Sequence, residues 1–250
     1  MQIIPLSEGA FTVDKTKQFI PLDLTKESLS QRPTGSILVE IQPFVVISSK
    51  DIILIDTGLG YQLQDGTPQL YQNLKNAGID PSQITKVLIS HLHKDHSGGI
   101  TTKNRQTGEQ FIAFPYATHY IQEREFNYAT GEGSASYVSE DFSLLSAFSK
   151  VVWLKEDKGM IDDYIQFELT GAHCKYHQVF SIKEEGQTIF FGGDDAPQLQ
   201  QMKSRFVAKY DFDGKKCMEL RKQWWEEGNS QQWTFLFYHD ISTPVFTAAY

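Results

Sequence analysis

Three of the chain's seven histidines, His91, His93 and His96, fall within six residues of the stretch LISHLHKDHSGG, with Asp95 set among them. Accident places histidines at three specified positions of such a window in about half a percent of chains with this histidine content. A solvated loop has no use for that concentration, so the pattern points to metal ligands. On an extended segment leaving a strand, His91 and His93 stand two apart and project the same way, which lets them hold one cation together. Asp95 and His96, past the tip of the loop, face differently and suit a second cation. The following Ser-Gly-Gly supplies freedom for a sharp turn and is expected to let a helix start.

Two histidines leave a zinc site incomplete, because zinc takes three or four protein ligands. His173 in LTGAHCKYHQVF, Asp194 in IFFGGDDAP and His239 in FLFYHDISTP each sit just past an apolar run, where the members of a loop-built site belong.

The runs that carry these residues set the architecture. SILVEIQPFVVISS and DIILIDTGLG read as two strands, and ITKVLISHLH as a short buried strand delivering the histidine loop. Between them TPQLYQNLKNAGIDPSQI has helical spacing and stops at Gly78. EQFIAFPYATHYIQ reads as one strand, and KVVWL, DYIQFEL, QVFSIKEEGQTIFFGGDD and QQWTFLFYHD supply further ones. DFDGKKCMELRKQWWEEGN reads as a helix with Leu220, Trp224 and Trp225 on one side and Gly228 as its stop. With no linker or low-complexity tract, residues 1–250 are expected to form a single α/β domain of two layered sheets with helices outside.

Composition excludes several functions. A net charge of −8 gives no basic face to follow a phosphate backbone, so nucleic acid is not expected as a partner. Cys174 and Cys217 are too few and too far apart for a disulfide scaffold or a cysteine zinc cluster. The opening MQIIPLSEGAF has neither a basic nor an apolar leader segment, and no run approaches 18 apolar residues. A cytoplasmic protein away from membranes is expected; the oligomeric state is not legible.

Other residues invite simpler readings. His177, four after His173, could pair with it on a helix, but Gly171 suits a loop, which favours a structural His177. His119 reads as a strand histidine packed among aromatics; Cys174, beside His173, could compete for metal, but Asp95 already offers a ligand in its place. Residues 125–142, EFNYATGEGSASYVSEDF, read as a surface loop or as a flap whose Phe126, Tyr128 and Tyr137 wall a pocket.

Taken in order, these motifs resemble the metallo-beta-lactamase fold superfamily of metal-dependent hydrolases. The family's pattern is an Asp after an early strand, then HxHxDH, a lone His, a lone Asp and a final His. Here Asp56 in LIDTG, His91, His93, Asp95, His96, His173, Asp194 and His239 match it from about residue 36 to 243. The resemblance implies a four-layer αββα sandwich holding two divalent metal ions, zinc by the donor set. His91, His93 and His173 would bind the first ion, Asp95, His96 and His239 the second, and Asp194 would bridge. Asp194 is preferred to Asp195 because the family's ligand follows the glycine directly. Asp56 would prop the histidine loop, though an Asp in Asp-Thr-Gly also forms turns.

The implied reaction is hydrolysis of a small-molecule ester by a metal-bridging hydroxide, with Asp95 passing a proton to the leaving group. His93 stands where the di-iron redox branch has glutamate, which favours hydrolysis. The N-acyl homoserine lactonase-like branch is the nearest in layout, and a lactone is the expected substrate. Thioesters, phosphodiesters, and a redox or non-catalytic metal-binding role are the alternatives. One departure bears on the substrate: such lactonases often carry a tyrosine just after the bridging Asp, and DDAPQ has none.

Overall fold

In the computed structural model, which describes residues 1–28, 30 and 32–248, the apolar runs form two six-stranded sheets whose strands lie in chain order. The N-terminal sheet comprises Gln2–Pro5, Phe44–Ile47, Ile52–Ile55, Lys86–Leu88, Thr118–Gln122 and Val151–Leu154. Its first three strands pair antiparallel and its last four parallel. The C-terminal sheet comprises Lys158–Ile161, Ile165–Leu169, Gln178–Glu184, Gln187–Phe191, Thr234–Leu236 and Val245–Thr247. Only Gln187–Phe191 and Thr234–Leu236 pair parallel in it.

Side chains alternate between faces along each strand, and here both faces are covered. Phe44, Val46, Ile53, Ile55 and Leu88 meet Phe180, Ile182, Ile189, Phe191 and Leu236 in the core between the sheets. Val45, Leu54 and Val87 point the other way, onto Leu70 and Leu74 of the helix Gln69–Asn76. Val179, Phe190 and Phe235 turn outward onto Trp224 of the helix Gly214–Gln231. Each fully buried side chain of this size contributes about 1.5–3 kcal/mol of transfer free energy. The result is the four-layer αββα sandwich.

Two long runs break where proline removes a ladder donor. Residues 36–49 divide at Gln42–Pro43: Phe44–Ile47 stays in the N-terminal sheet, while Ile37–Ile41 joins Gly9–Val13 and Phe19–Pro21 in a three-stranded sheet. Residues 109–122 divide around Pro115, and Gln110–Ile112 pairs instead with Thr101–Lys103.

Three expectations are corrected. Gly228 does not stop the last helix, which runs on to Gln231 and caps at Gln232 with φ +56°. Gly228 is there for packing, since a Cβ on it would lie 2.2 Å from Phe235 Cζ. The Ser97-Gly98-Gly99 segment does not start a helix but ends the four-residue helix Lys94–Ser97. Its glycines admit a neighbouring backbone: a Cβ on Gly99 would meet the Thr57 carbonyl oxygen at 2.1 Å, and one on Gly98 the Leu59 carbonyl at 2.5 Å. Residues 125–142 are not one loop, because the helix Glu123–Gly131 takes up their first half. On that helix Phe126 packs against Trp153 and Phe142 in the outer layer and does not line the cavity over the histidines.

Candidate metal centre

The strand registers bring six connections to one edge of the sandwich. Ile55 is level with Leu88, and Leu88 with Tyr120; Leu169 is level with Gln178, and Phe191 with Leu236. Asp56 therefore leaves the N-terminal sheet beside the loop of His91 to His96. The turns carrying His173, Asp194 and His239 leave the C-terminal sheet opposite them.

Three groups of ligand atoms converge there, each within 4.8 Å: His91, His93 and His173; His91, His96 and Asp194; Asp95, His96 and His239. Asp194 stands in the middle, with Oδ1 3.1 Å from His96 Nε2 and 3.0 Å from His239 Nε2, and Oδ2 3.3 Å from His173 Nε2. His93 Nδ1 and His173 Nε2 lie 3.2 Å apart. Asp95 Oδ2 is 3.6 Å from His96 Nε2 and 3.5 Å from His239 Nε2.

The outward ring nitrogens are held by the chain. His96 Nδ1 lies 2.7 Å from Asp56 Oδ2, His173 Nδ1 2.8 Å from Asp211 Oδ1, and His239 Nδ1 2.7 Å from the Glu40 carbonyl. His91 Nδ1 lies 3.1 Å from Ser90 Oγ, which itself donates to Asp56. An acceptor at Nδ1 fixes the proton there and leaves Nε2 with its lone pair free for a cation. His91 Nε2, His96 Nε2 and Asp194 Oδ1 are buried without a hydrogen-bond partner. Buried polar atoms that converge without bonding one another suit a cation between them.

The electrostatics divide the cluster. Burial, reinforced by neighbouring histidines, holds His91 and His93 well below the ordinary imidazole value, so both are neutral. Burial is the largest influence on His96 and His239 and opposes their charge, but the Asp194 and Asp95 carboxylates and the hydrogen bonds to the rings together outweigh it and raise both. Asp194 resists its own burial through His239, His96 and His173, which keep it ionised.

Asp56 has φ +55°, a conformation Asp tolerates better than most residues, and is fully buried. It accepts from the Ser90 amide and hydroxyl, each at 2.7 Å, besides its contact with His96. It serves as turn former and histidine support at once. His177 lies outside the three groups: its Nδ1 is 3.1 Å from Asp195 Oδ2, and its Nε2 accepts from the Asp194 amide. Asp195 faces away from the centre, accepting from the His173 amide at 2.7 Å. Cys174 also stays outside, its Sγ donating to Glu125 at 3.6 Å. His119 is buried edge-on to Phe148.

Asp211 escaped the sequence reading. It sits in YDFDG, 38 residues from His173, with no spacing signal to connect the two. Arg221 escaped it too; fully buried on the last helix, it donates to the Asp195 carbonyl at 2.7 Å and steadies the turn that carries Asp194.

Above the cluster opens a cavity of about 890 Å³, lined by His93, Asp95, His173, Asp194 and His239 at its floor. Tyr128 and Tyr137 form part of its wall, and Phe19, Ile37 and Phe212 lie towards its mouth.

The family model described as Metallo-beta-lactamase superfamily matches residues 39–206. The chain belongs to the metallo-beta-lactamase superfamily. Among characterised members, the N-acyl homoserine lactonase AttM of Azorhizobium caulinodans is 38% identical over 121 residues, covering 44% of this chain and 40% of the relative. AttM of Agrobacterium fabrum is 35% identical over 121 residues, with the same coverage. The chain thus spans about two fifths of the length of these two curated relatives. Among solved structures, a probable metal-dependent hydrolase from Staphylococcus aureus superposes with a TM-score of 0.79 at 21% identity, covering 98% of this chain and 91% of that one. AidC, a dizinc quorum-quenching lactonase, superposes with a TM-score of 0.72 at 17% identity, covering 98% and 89%. At these identities the likeness establishes the shared fold.

Proposed function

We propose that the chain is a dinuclear metal-dependent hydrolase that opens a cyclic ester. The observation that carries this reading is the convergence of unpartnered His91 Nε2, His96 Nε2 and Asp194 Oδ1, with Asp194 itself lining the cavity. His91, His93 and His173 would hold one divalent cation, Asp95, His96 and His239 a second, and Asp194 would be shared. Imidazole and carboxylate donors suit zinc. When bound, two such cations polarise a carbonyl oxygen and bring the pKa of a bound water down to about 7.

The rest falls to the protein. Asp56, Asp211 and the Glu40 carbonyl fix the tautomers of His96, His173 and His239, so their donor atoms need no reorganisation. Asp95 reaches the cavity, where its carboxylate can accept a proton from the nucleophilic side and deliver it to the departing alkoxide. Tyr128 and Tyr137 offer an aromatic wall for the substituent of the ring. The lactonase activity named for the curated relatives supports a lactone as substrate class. Ala196 and Pro197 follow Asp194 and Asp195 where such lactonases often carry a tyrosine, so the acyl homoserine group is not part of the proposal. Both cysteines are free and buried, and no helix among the described residues is long and apolar enough to cross a membrane. We read residues 1–250 as one catalytic domain working in a reducing, cytoplasmic setting.

Elemental analysis of gently purified protein should approach two metal ions per chain, and lactones should release acid faster than thioesters or phosphodiesters are cleaved. Asp95→Asn should lower turnover about 100-fold at full metal occupancy, within the range of a lost proton-transfer group. Metal content near zero after reconstitution overturns the centre; faster cleavage of a thioester or phosphodiester overturns the substrate class alone.

A further inference from the structure

The wall of the cavity carries positive charge that ring opening of a neutral lactone does not use. Lys15, Lys17, Arg32, Lys94 and Lys175 all line it, in a protein whose net charge is −8. Among the described residues none of the five has a carboxylate partner at ion-pair distance; those pairs are made elsewhere, by residues such as Lys86 and Arg124. The acids of the cavity are already engaged. Asp95, Asp194 and Asp211 face histidines, and Asp14, which accepts from the amide and hydroxyl of Thr16 in its own turn, answers the charge of Lys15 alone among the five.

The two inner lysines stand close behind proposed metal ligands, Lys94 next after His93 and Lys175 two residues after His173. Neither swings freely. Lys94 donates its ammonium to the Lys17 carbonyl and lies 5.5 Å over the Phe19 ring, while its amide donates to the Ser136 carbonyl at 2.9 Å. Lys175 lies 5.2 Å over Tyr128 and 5.4 Å over Tyr176, and Tyr128 contacts Tyr137. The wall therefore runs without interruption from Lys17 past Lys94 and the two tyrosines to Lys175. A lysine resting on an aromatic face can still donate to a further partner, and a concave wall lined by one sign of charge focuses its field.

We infer that the substrate enters already carrying an oxyanion on an arm remote from the scissile bond, held by Lys94 and Lys175, with Lys17 and Arg32 drawing it in at the mouth. This rests on the hydrolase reading for the fate of the substrate but not for the binding of the anion. The cavity floor takes the ester and the wall takes the charge.

The test uses metal-loaded protein and lactones with side arms of equal length that end in a carboxylate, a phosphate monoester or a methyl ester. The anionic lactones should be preferred about tenfold or more in kcat/KM, mainly through KM, and the preference should shrink between 0.05 and 0.5 M salt as screening sets in. The larger of the two anionic preferences identifies the oxyanion. Lys94→Gln and Lys175→Gln should each reduce the preference severalfold, and the double variant should bring it close to one. Calorimetry of the ring-opened products, the arm-charged acid against its methyl ester, should show the same lysine-dependent difference in Kd without any turnover. Equal use of charged and neutral lactones, or product binding indifferent to both substitutions, overturns the inference while the hydrolase reading stands. If no lactone reacts but the arm-charged product still binds through the lysines, the anion site stands and the hydrolase reading falls.

Discussion

Asp211 Oδ1 lies 2.8 Å from His173 Nδ1, and its side chain is 2% exposed, so a carboxylate on the 203–213 segment fixes an imidazole contributed by the C-terminal sheet. Supports of this kind hold a histidine in one tautomer and raise its basicity as a ligand. Asp211→Ala should lower metal affinity about 10- to 100-fold while leaving the folded state intact, as read by competition with a chromophoric chelator. Unchanged affinity would mean that the Ala172 and Asp195 environment alone positions His173.

Asp56 separates two effects that Asp211 does not. Asp56→Asn keeps a residue that tolerates φ +55° but removes the negative charge facing His96, whereas Asp56→Ala loses both. Both variants should retain metal less well than the parent. The alanine should also unfold about 1–2 kcal/mol more easily in metal-free form than the asparagine, a difference that urea titration resolves.

His119 gives the fold an acid-sensitive point away from the metal centre. Burial pushes its pKa down to about 4, against an ordinary value of 6.5. Between those values the unfolded chain binds a proton that the folded chain refuses, so stability is whole above pH 6.5 and lost as the pH falls towards 4. The loss is on the order of 3 kcal/mol by pH 4. His119→Leu should flatten that part of the profile; parallel stability curves for parent and variant from pH 7.5 to 4.5 would contradict it.

Gly228→Ala tests packing against helix propensity. Alanine gains about 1 kcal/mol in a helix interior, but its Cβ would lie 2.2 Å from Phe235 Cζ and 2.8 Å from Cε2, and overpacking of a core costs about 1–3 kcal/mol. Clashes this close, with no room beside Trp233, should win. Calorimetry should show a Tm lower by roughly 2–6 °C, and a rise would show that Phe235 yields.

The four layers and the local parts of the centre were legible because they rest on short-range pattern. Alternation along Phe44–Ile47 and Phe180–Ile182 gives two-faced strands, and HxHxDH places four candidate ligands within six residues. Position after an apolar run pointed to His173, His239 and the Asp194–Asp195 pair, and the family resemblance chose Asp194 from that pair; the three converge with the histidine loop. What escaped depends on tertiary neighbours. Asp211 and Arg221 act across the fold, Phe126 is turned into the outer layer by its helix, and Gly228 reads as a helix stop unless the Phe235 ring beside it is known. The strands Gln2–Pro5 and Phe19–Pro21 are short, and their partners lie at Phe44–Ile47 and Gly9–Val13, so only the pairing makes them strands.

The centre straddles the seam between the two sheets: His91, His93, Asp95 and His96 come from one side, His173, Asp194 and His239 from the other. His93 meets His173 across 80 residues of chain, and the Tyr238 hydroxyl reaches the Asp95 carbonyl across 143. Contacts of such sequence separation form after the local ones, because loop closure must come first. A growing or half-folded chain therefore presents only a fragment of the donor set. On the proposed reading, a complete donor set waits until both sheets have docked, and the seam itself acts as the checkpoint that decides when the chain becomes able to hold a metal.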